Sequence, residues 1–187
     1  MSSPDSESSL SRKVGKSVPP DTSGRSNDQA ITVIQRELFD SRKSKARRYS
    51  ELVVGQPGLW ALFKYEVIIT LCSGIPGALG LLIRSQLYPW LLGRTGRNVT
   101  FGVNVVLRHP QKIRIGDNVV IDDGCCLDAK GTDNEGITIG NGVFVGRNTI
   151  LSCKNGDIII DANANIGFNV EIFSASRVRL GRNTLVA

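Results

Sequence analysis

The chain carries one histidine, His109, and four cysteines, Cys72, Cys125, Cys126 and Cys153. Histidine is the side chain best suited to take a proton from a hydroxyl or amine near neutral pH. A thiolate can act as a nucleophile or, beside histidines, as a zinc ligand. The spacing argues against a metal. No two of these cysteines are separated by two residues, the usual spacing of a zinc-binding pair, and one histidine does little to complete a site. No metal is expected, and the cysteines read as reduced and structural in a cytosolic setting. His109, followed by Pro110, has three readings: a general base, a turn histidine bonded to local backbone, or a contact to a phosphate or a partner.

Charge supplies the next candidates. The chain has a formal net charge of +6 and a pI near 9.4, and "RKSKARR" at Arg42–Arg48 places five basic residues in seven positions. An anionic partner fits that balance. The run has no interleaved aromatics and no recognisable nucleic-acid-binding module surrounds it, so nucleic acid is not expected.

The elements that must position these residues fall into three parts. Residues 1–30 are rich in Ser, Pro, Gly and Asp. They hold too few aliphatics to offset their ordering entropy and read as a disordered tail. No secretory leader is visible in that stretch, which points to a cytoplasmic location. Residues 31–98 read as helical, basic and then apolar. Ile31, Ile34, Leu38 and Phe39 fall at helical spacing. Val67–Ile83 contains 17 uncharged residues, which as one helix would span roughly 25 Å, short of a bilayer core of about 30 Å. Pro76, with Gly74, Gly77 and Gly80 around it, should break that helix. Two readings stay open. The broken helices cap the domain that follows, or they form a hairpin dipping into one leaflet, with Trp60, Tyr65, Tyr88 and Trp90 at its flanks.

Residues 99–187 are periodic. An apolar residue opens a hexad at Phe101, Leu107, Ile115, Ile121, Leu127, Ile139, Val145, Leu151, Ile160, Ile166, Ile172, Leu180 and Val186. A small or β-branched residue stands two positions before each. Leu107 and Ile172 are the weakest members, being followed by Arg108 and Phe173. The longer gaps fall at Gln111–Lys112, Gly131–Gly136, Asn155–Asp157 and Ser176–Arg177, separating the hexads into threes. Three six-residue sides per turn, with insertions at one corner, describe a triangular solenoid of short stacked strands. The two apolar positions of each hexad then point inward together. Asn104, Gly124, Asn148 and Asn169 share one corner, and Asn118, Gly142, Asn163 and Asn183 another. There the chain should turn through left-handed conformations. Lys130 and Lys154 occupy equivalent places on successive coils, where they could attract an anion such as the phosphates of CoA or simply spread into solvent. They are assigned to no site.

This region resembles the hexapeptide-repeat acyltransferase superfamily, on "IRIGDNVVIDDGCCLDAK", "ITIGNGVFVGRNTILSCK" and "VRLGRNTLVA". The resemblance implies a left-handed parallel β-helix, a homotrimer with active sites between subunits, and acetyl transfer from acetyl-CoA. Together with the apolar N-terminal segment it is most similar to bacterial O-acetyltransferases acting on sugars or polysaccharide precursors, with a place at the inner face of the cell membrane as one option. In that superfamily a histidine base usually sits on a late coil or projecting loop, whereas His109 lies in the earliest coil. The last hexad, Thr184–Ala187, is short and no cap follows it. The sequence therefore reads as a C-terminally truncated member, with its catalytic base and cofactor-binding residues unassigned. A non-catalytic, membrane-associated solenoid or an inactive homologue is the alternative. A γ-type carbonic anhydrase would need three metal-binding histidines, and a fused nucleotidyltransferase a Gly-rich phosphate loop; neither is present.

Overall fold

The computed structural model describes residues 44–187. The tail expected over residues 1–30, the helical start at Ile31–Phe39, and Arg42 and Lys43 of the basic run lie outside the described residues.

The hexads form the three faces of a parallel β-solenoid of about four turns. One sheet stacks β1 (Arg94–Thr95), β4 (Ile113–Ile115), β7 (Ile137–Ile139), β10 (Asp157–Ile160) and β13 (Arg177–Leu180). A second stacks β2 (Thr100–Phe101), β5 (Val120–Ile121), β8 (Phe144–Val145), β11 (Asn165–Ile166) and β14 (Leu185–Val186). A third stacks β3 (Val106–Arg108), β6 (Cys126–Asp128), β9 (Ile150–Cys153) and β12 (Glu171–Ser174). The short β1, which the hexad pattern did not include, pairs with β4.

Register places like on like. Ile115, Ile139, Ile160 and Leu180 form one column. Phe101, Ile121, Val145, Ile166 and Val186 form the second. Leu107, Leu127, Leu151 and Ile172 form the third. The two weakest hexads, at Leu107 and Ile172, are thus in register with the rest. Each fully buried member contributes about 1.5–3 kcal/mol relative to exposure. Inward residues are buried from Val99 to Ile166, whereas Val170, Ile172, Leu180 and Val186 are half-buried. Ile172, Leu180 and Val186 belong to β12, β13 and β14, the sheet edges among the described residues, and Val170 immediately precedes β12.

The corners follow from backbone geometry. Asn104, Asn118, Asn148, Asn163, Asn169 and Asn183 all have φ between 55° and 61°, and Gly124 and Gly142 have φ of 70° and 68°. Asn tolerates this left-handed region because its short amide can bond locally. Here the amides also bond between coils, Asn98 Nδ2 to Asn118 Oδ1 at 3.0 Å and Asn148 Nδ2 to Asn169 Oδ1 at 3.3 Å. All four insertions precede strands of the first sheet, so they share a single corner.

Among the described residues three α-helices precede the coils: α1 (Lys45–Tyr49), which continues as a π-helical turn at Ser50–Val54, α2 (Leu59–Cys72) and α3 (Gly77–Leu87). The break between α2 and α3 contains Pro76, as its fixed φ and missing N–H require. Tyr65, Ile68 and Cys72 of α2, with Tyr88 after α3, join the same core as Phe101 and Leu107. Tyr65 Oη donates to Leu107 O at 2.7 Å, and Asn104 N donates to Ser73 O at 2.9 Å. The inner faces of the helices therefore cover the first coil. No single helix among the described residues is long and apolar enough to cross a membrane.

Candidate functional site

A groove of about 650 Å³ opens between the helical segment and the insertion corner, with Arg47, Glu51, Leu62, His109, Lys112 and Thr132 among its lining residues. That volume lies in the range of small-molecule sites. Three parts of the chain far apart in sequence build it, and polar contacts between them set its shape.

His109 forms the deep wall. Its backbone is left-handed, with φ of 50°, because the chain turns there from β3 into the corner. Its N–H donates to Val53 O at 2.8 Å, and Nε2 lies 3.1 Å from Glu51 O. A carbonyl only accepts, so the ring proton sits on Nε2 and Nδ1 carries the lone pair. Burial pushes the ring pKa below its ordinary 6.5, and nearby Asp128 opposes without reversing it. A neutral imidazole with one nitrogen fixed is the form a general base takes. Gly55, however, stands against the other nitrogen: a Cβ there would lie 2.5 Å from Nδ1. His109 thus bonds to backbone, as in the second of its sequence readings, but to the distant backbone of Glu51 and Val53 rather than to its own corner, and so fastens the π-helical turn to the solenoid.

Lys112 forms the opposite wall. Its Nζ donates to Gly131 O at 2.8 Å, to Thr132 O at 3.4 Å and to Asn134 Oδ1 at 2.9 Å. The long insertion is thereby wrapped around one ammonium. Asn134 Nδ2 in turn donates to Gly156 O at 2.9 Å, and Asp157 Oδ1 accepts from Glu135 N at 2.8 Å. The loop is held from the coil before and the coil after. Arg47 on the rim pairs with Glu51 at 3.2 Å. Both of these groove cations are thus held by protein oxygens, which leaves the groove only mildly basic.

The remaining sequence candidates lie elsewhere. The β6–β9 register keeps Lys130 and Lys154 on equivalent positions of neighbouring coils. Lys154 Nζ sits 5.4 Å from the Phe173 ring centroid, and Lys130 is half-buried. All four cysteines are free thiols. Burial raises the thiol pKa of Cys125 and Cys153 to about 11, which disfavours the nucleophilic thiolate. Among the described residues no group of three or more His, Cys, Asp or Glu could hold a metal ion. Sequence reasoning passed over Lys112 and Gly55. Gly55 leaves no trace in the hexads, but a lysine in the insertion one coil before the longest one was a signal for the first.

No protein-family profile matches this sequence, and no curated protein matches it. Solved structures do. A hexapeptide-repeat-containing acetyltransferase from Vibrio cholerae O1 biovar eltor, complexed with acetyl coenzyme A, is similar with a TM-score of 0.53 and 21% identity, over 74% of this chain and 82% of that one. The two share the hexapeptide-repeat fold. Looser likenesses are serine acetyltransferase 1 from Entamoeba histolytica, with a TM-score of 0.38 and 18% identity over 86% of this chain and 67% of that one. The serine acetyltransferase of Neisseria gonorrhoeae in complex with serine has a TM-score of 0.36 and 17% identity over 84% and 68%. All three are acetyltransferases, the first of them containing hexapeptide repeats.

Proposed function

We propose that this chain is an acetyl-CoA-dependent O-acetyltransferase acting on a hydroxyl of a sugar or polysaccharide precursor, as a cytoplasmic homotrimer. The observation that carries the reading is the fold shared with the acetyl-CoA-bound Vibrio cholerae enzyme. In such a transfer the acceptor oxygen attacks the thioester carbonyl, the C–S bond breaks, and CoA leaves as its thiol after the hydroxyl proton is taken up. The solenoid supplies a rigid wall against which both substrates can be held, and rigidity of this kind favours the attack geometry.

One observation favours a second reading. The single histidine has its ring N–H committed to Glu51 and its other edge against Gly55, which suits a solenoid that binds without catalysing. Incubating the full chain with acetyl-CoA and a panel of mono- and oligosaccharides separates the two. Acceptor-dependent release of CoA thiol is expected. A folded protein that releases none with any hydroxyl acceptor overturns the first reading and supports the second.

A further inference from the structure

The helices that cover the first coil turn a second apolar face outward. Along α2, Trp60, Phe63, Val67 and Leu71 form a stripe at helical spacing and are 75, 59, 38 and 54% exposed. Trp60 and Phe63 stack on each other with ring centroids 5.9 Å apart. In α3, Leu79 and Leu82 are 63 and 64% exposed, and Trp90 beyond it is 67% exposed. Every exposed residue from Leu59 to Gly93 is uncharged, and Thr70 and Gln86 supply the main polar side chains among them. A helix facing water normally carries charge on its outer side, and apolar patches of this kind mark interaction surfaces.

We propose that this face docks on an anionic phospholipid bilayer, with α2 and α3 lying in the interface rather than crossing it. Charge selects lipid over other apolar occupants. The basic run ending at Arg48 precedes α2, exposed Lys45 and Arg94 bracket the helices, and the chain as a whole carries +6. Basic residues beside an apolar helical face favour acidic headgroups. The two tryptophans stand near the two ends of the segment, where interfacial aromatics sit. The break at Pro76 and the shortness of each helix suit a surface-lying hairpin. This inference is independent of acyl transfer, so an inactive protein would leave it standing.

The test is flotation of the full chain with vesicles of phosphatidylcholine alone or mixed with phosphatidylglycerol, read together with tryptophan emission. Trp60 and Trp90 are the only two tryptophans, so the signal reports the proposed face directly. Binding to the mixed vesicles, a shift of emission to shorter wavelength, and weakening by salt are expected. The double variant Trp60→Ser, Phe63→Ser should keep its circular dichroism and lose about tenfold or more in partitioning. Phe173→Ser, a control at an exposed apolar residue on the solenoid, should leave partitioning unchanged. Absence of flotation, or partitioning indifferent to the double variant, overturns the proposal. So does lipid-free self-association that requires Trp60, which would assign the face to a second copy of the chain.

Discussion

Replacing Arg84 with Met should loosen the junction between the helices and the first coil. Arg84 is 1% exposed. Its Nε donates to Phe101 O at 2.9 Å, and its Nη1 donates to Cys72 O at 3.1 Å and Ile75 O at 2.6 Å. One cation therefore ties the end of α2, the break after it, and β2. Carbonyls at a helix C-terminus carry partial negative charge, which suits a guanidinium. Hydrogen bonds to a charged donor contribute about 1.5–3 kcal/mol each, so three amount to roughly 5–9 kcal/mol. Removing the guanidinium also removes its own burial cost of several kcal/mol. The net loss should be about 2–4 kcal/mol, in a unit of this size a drop in melting temperature on the order of 10 °C. Urea unfolding followed by far-ultraviolet circular dichroism reads the change. Arg84→Lys, whose single ammonium serves fewer of the three carbonyls, should fall between wild type and Arg84→Met. An Arg84→Met protein within about 0.5 kcal/mol of wild type would refute the reasoning, because the three carbonyls would then not depend on this donor.

Other perturbations test other links. Ile166→Asp puts a carboxylate at a fully buried site between Val145 and Val186. With no charge partner in the column it should abolish cooperative melting, and a retained sharp transition would contradict the register. Gly55→Ala should cost about 1–2 kcal/mol for its left-handed backbone and more for displacing the His109 ring, with φ at 70° and the new Cβ 2.5 Å from Nδ1. Urea midpoints of the variant check that. Stability should also fall with acidification. Because burial lowers the His109 pKa below 6.5, the unfolded chain takes up its proton at higher pH than the folded one. The contribution is then complete above 6.5 and declines as pH falls from there toward the folded value. Comparing wild type with His109→Gln across that window should show a shallower slope in the variant.

Much of the fold was legible because a solenoid ties side-chain period to backbone geometry at every turn. Ile139 and Ile160 could be placed one above the other from spacing alone, and Asn118, Gly142 and Asn163 declared the corner that their φ values confirm. The break at Pro76 was legible for the same local reason. The groove was much less so. Its deep wall depends on contacts between Glu51 and His109, 58 residues apart, and no repeat encodes a contact between the helical segment and a corner. Arg84 was signalled only as a lone charge beside an apolar run. That it meets carbonyls rather than solvent follows from how the break in the helices folds back on β2. The apolar run itself admitted two readings, since an all-apolar helix can face a core or a lipid. In the structure α2 has one side on the core and the other exposed.

The most direct test of the central claim needs no acceptor: calorimetric titration of the folded chain with acetyl-CoA. An acetyl-CoA-dependent transferase should show saturable binding, with binding heat that disappears once the protein has been preloaded with the ligand. A cooperatively melting protein that takes up no acetyl-CoA would contradict the claim, leaving a solenoid that shares the fold without the chemistry.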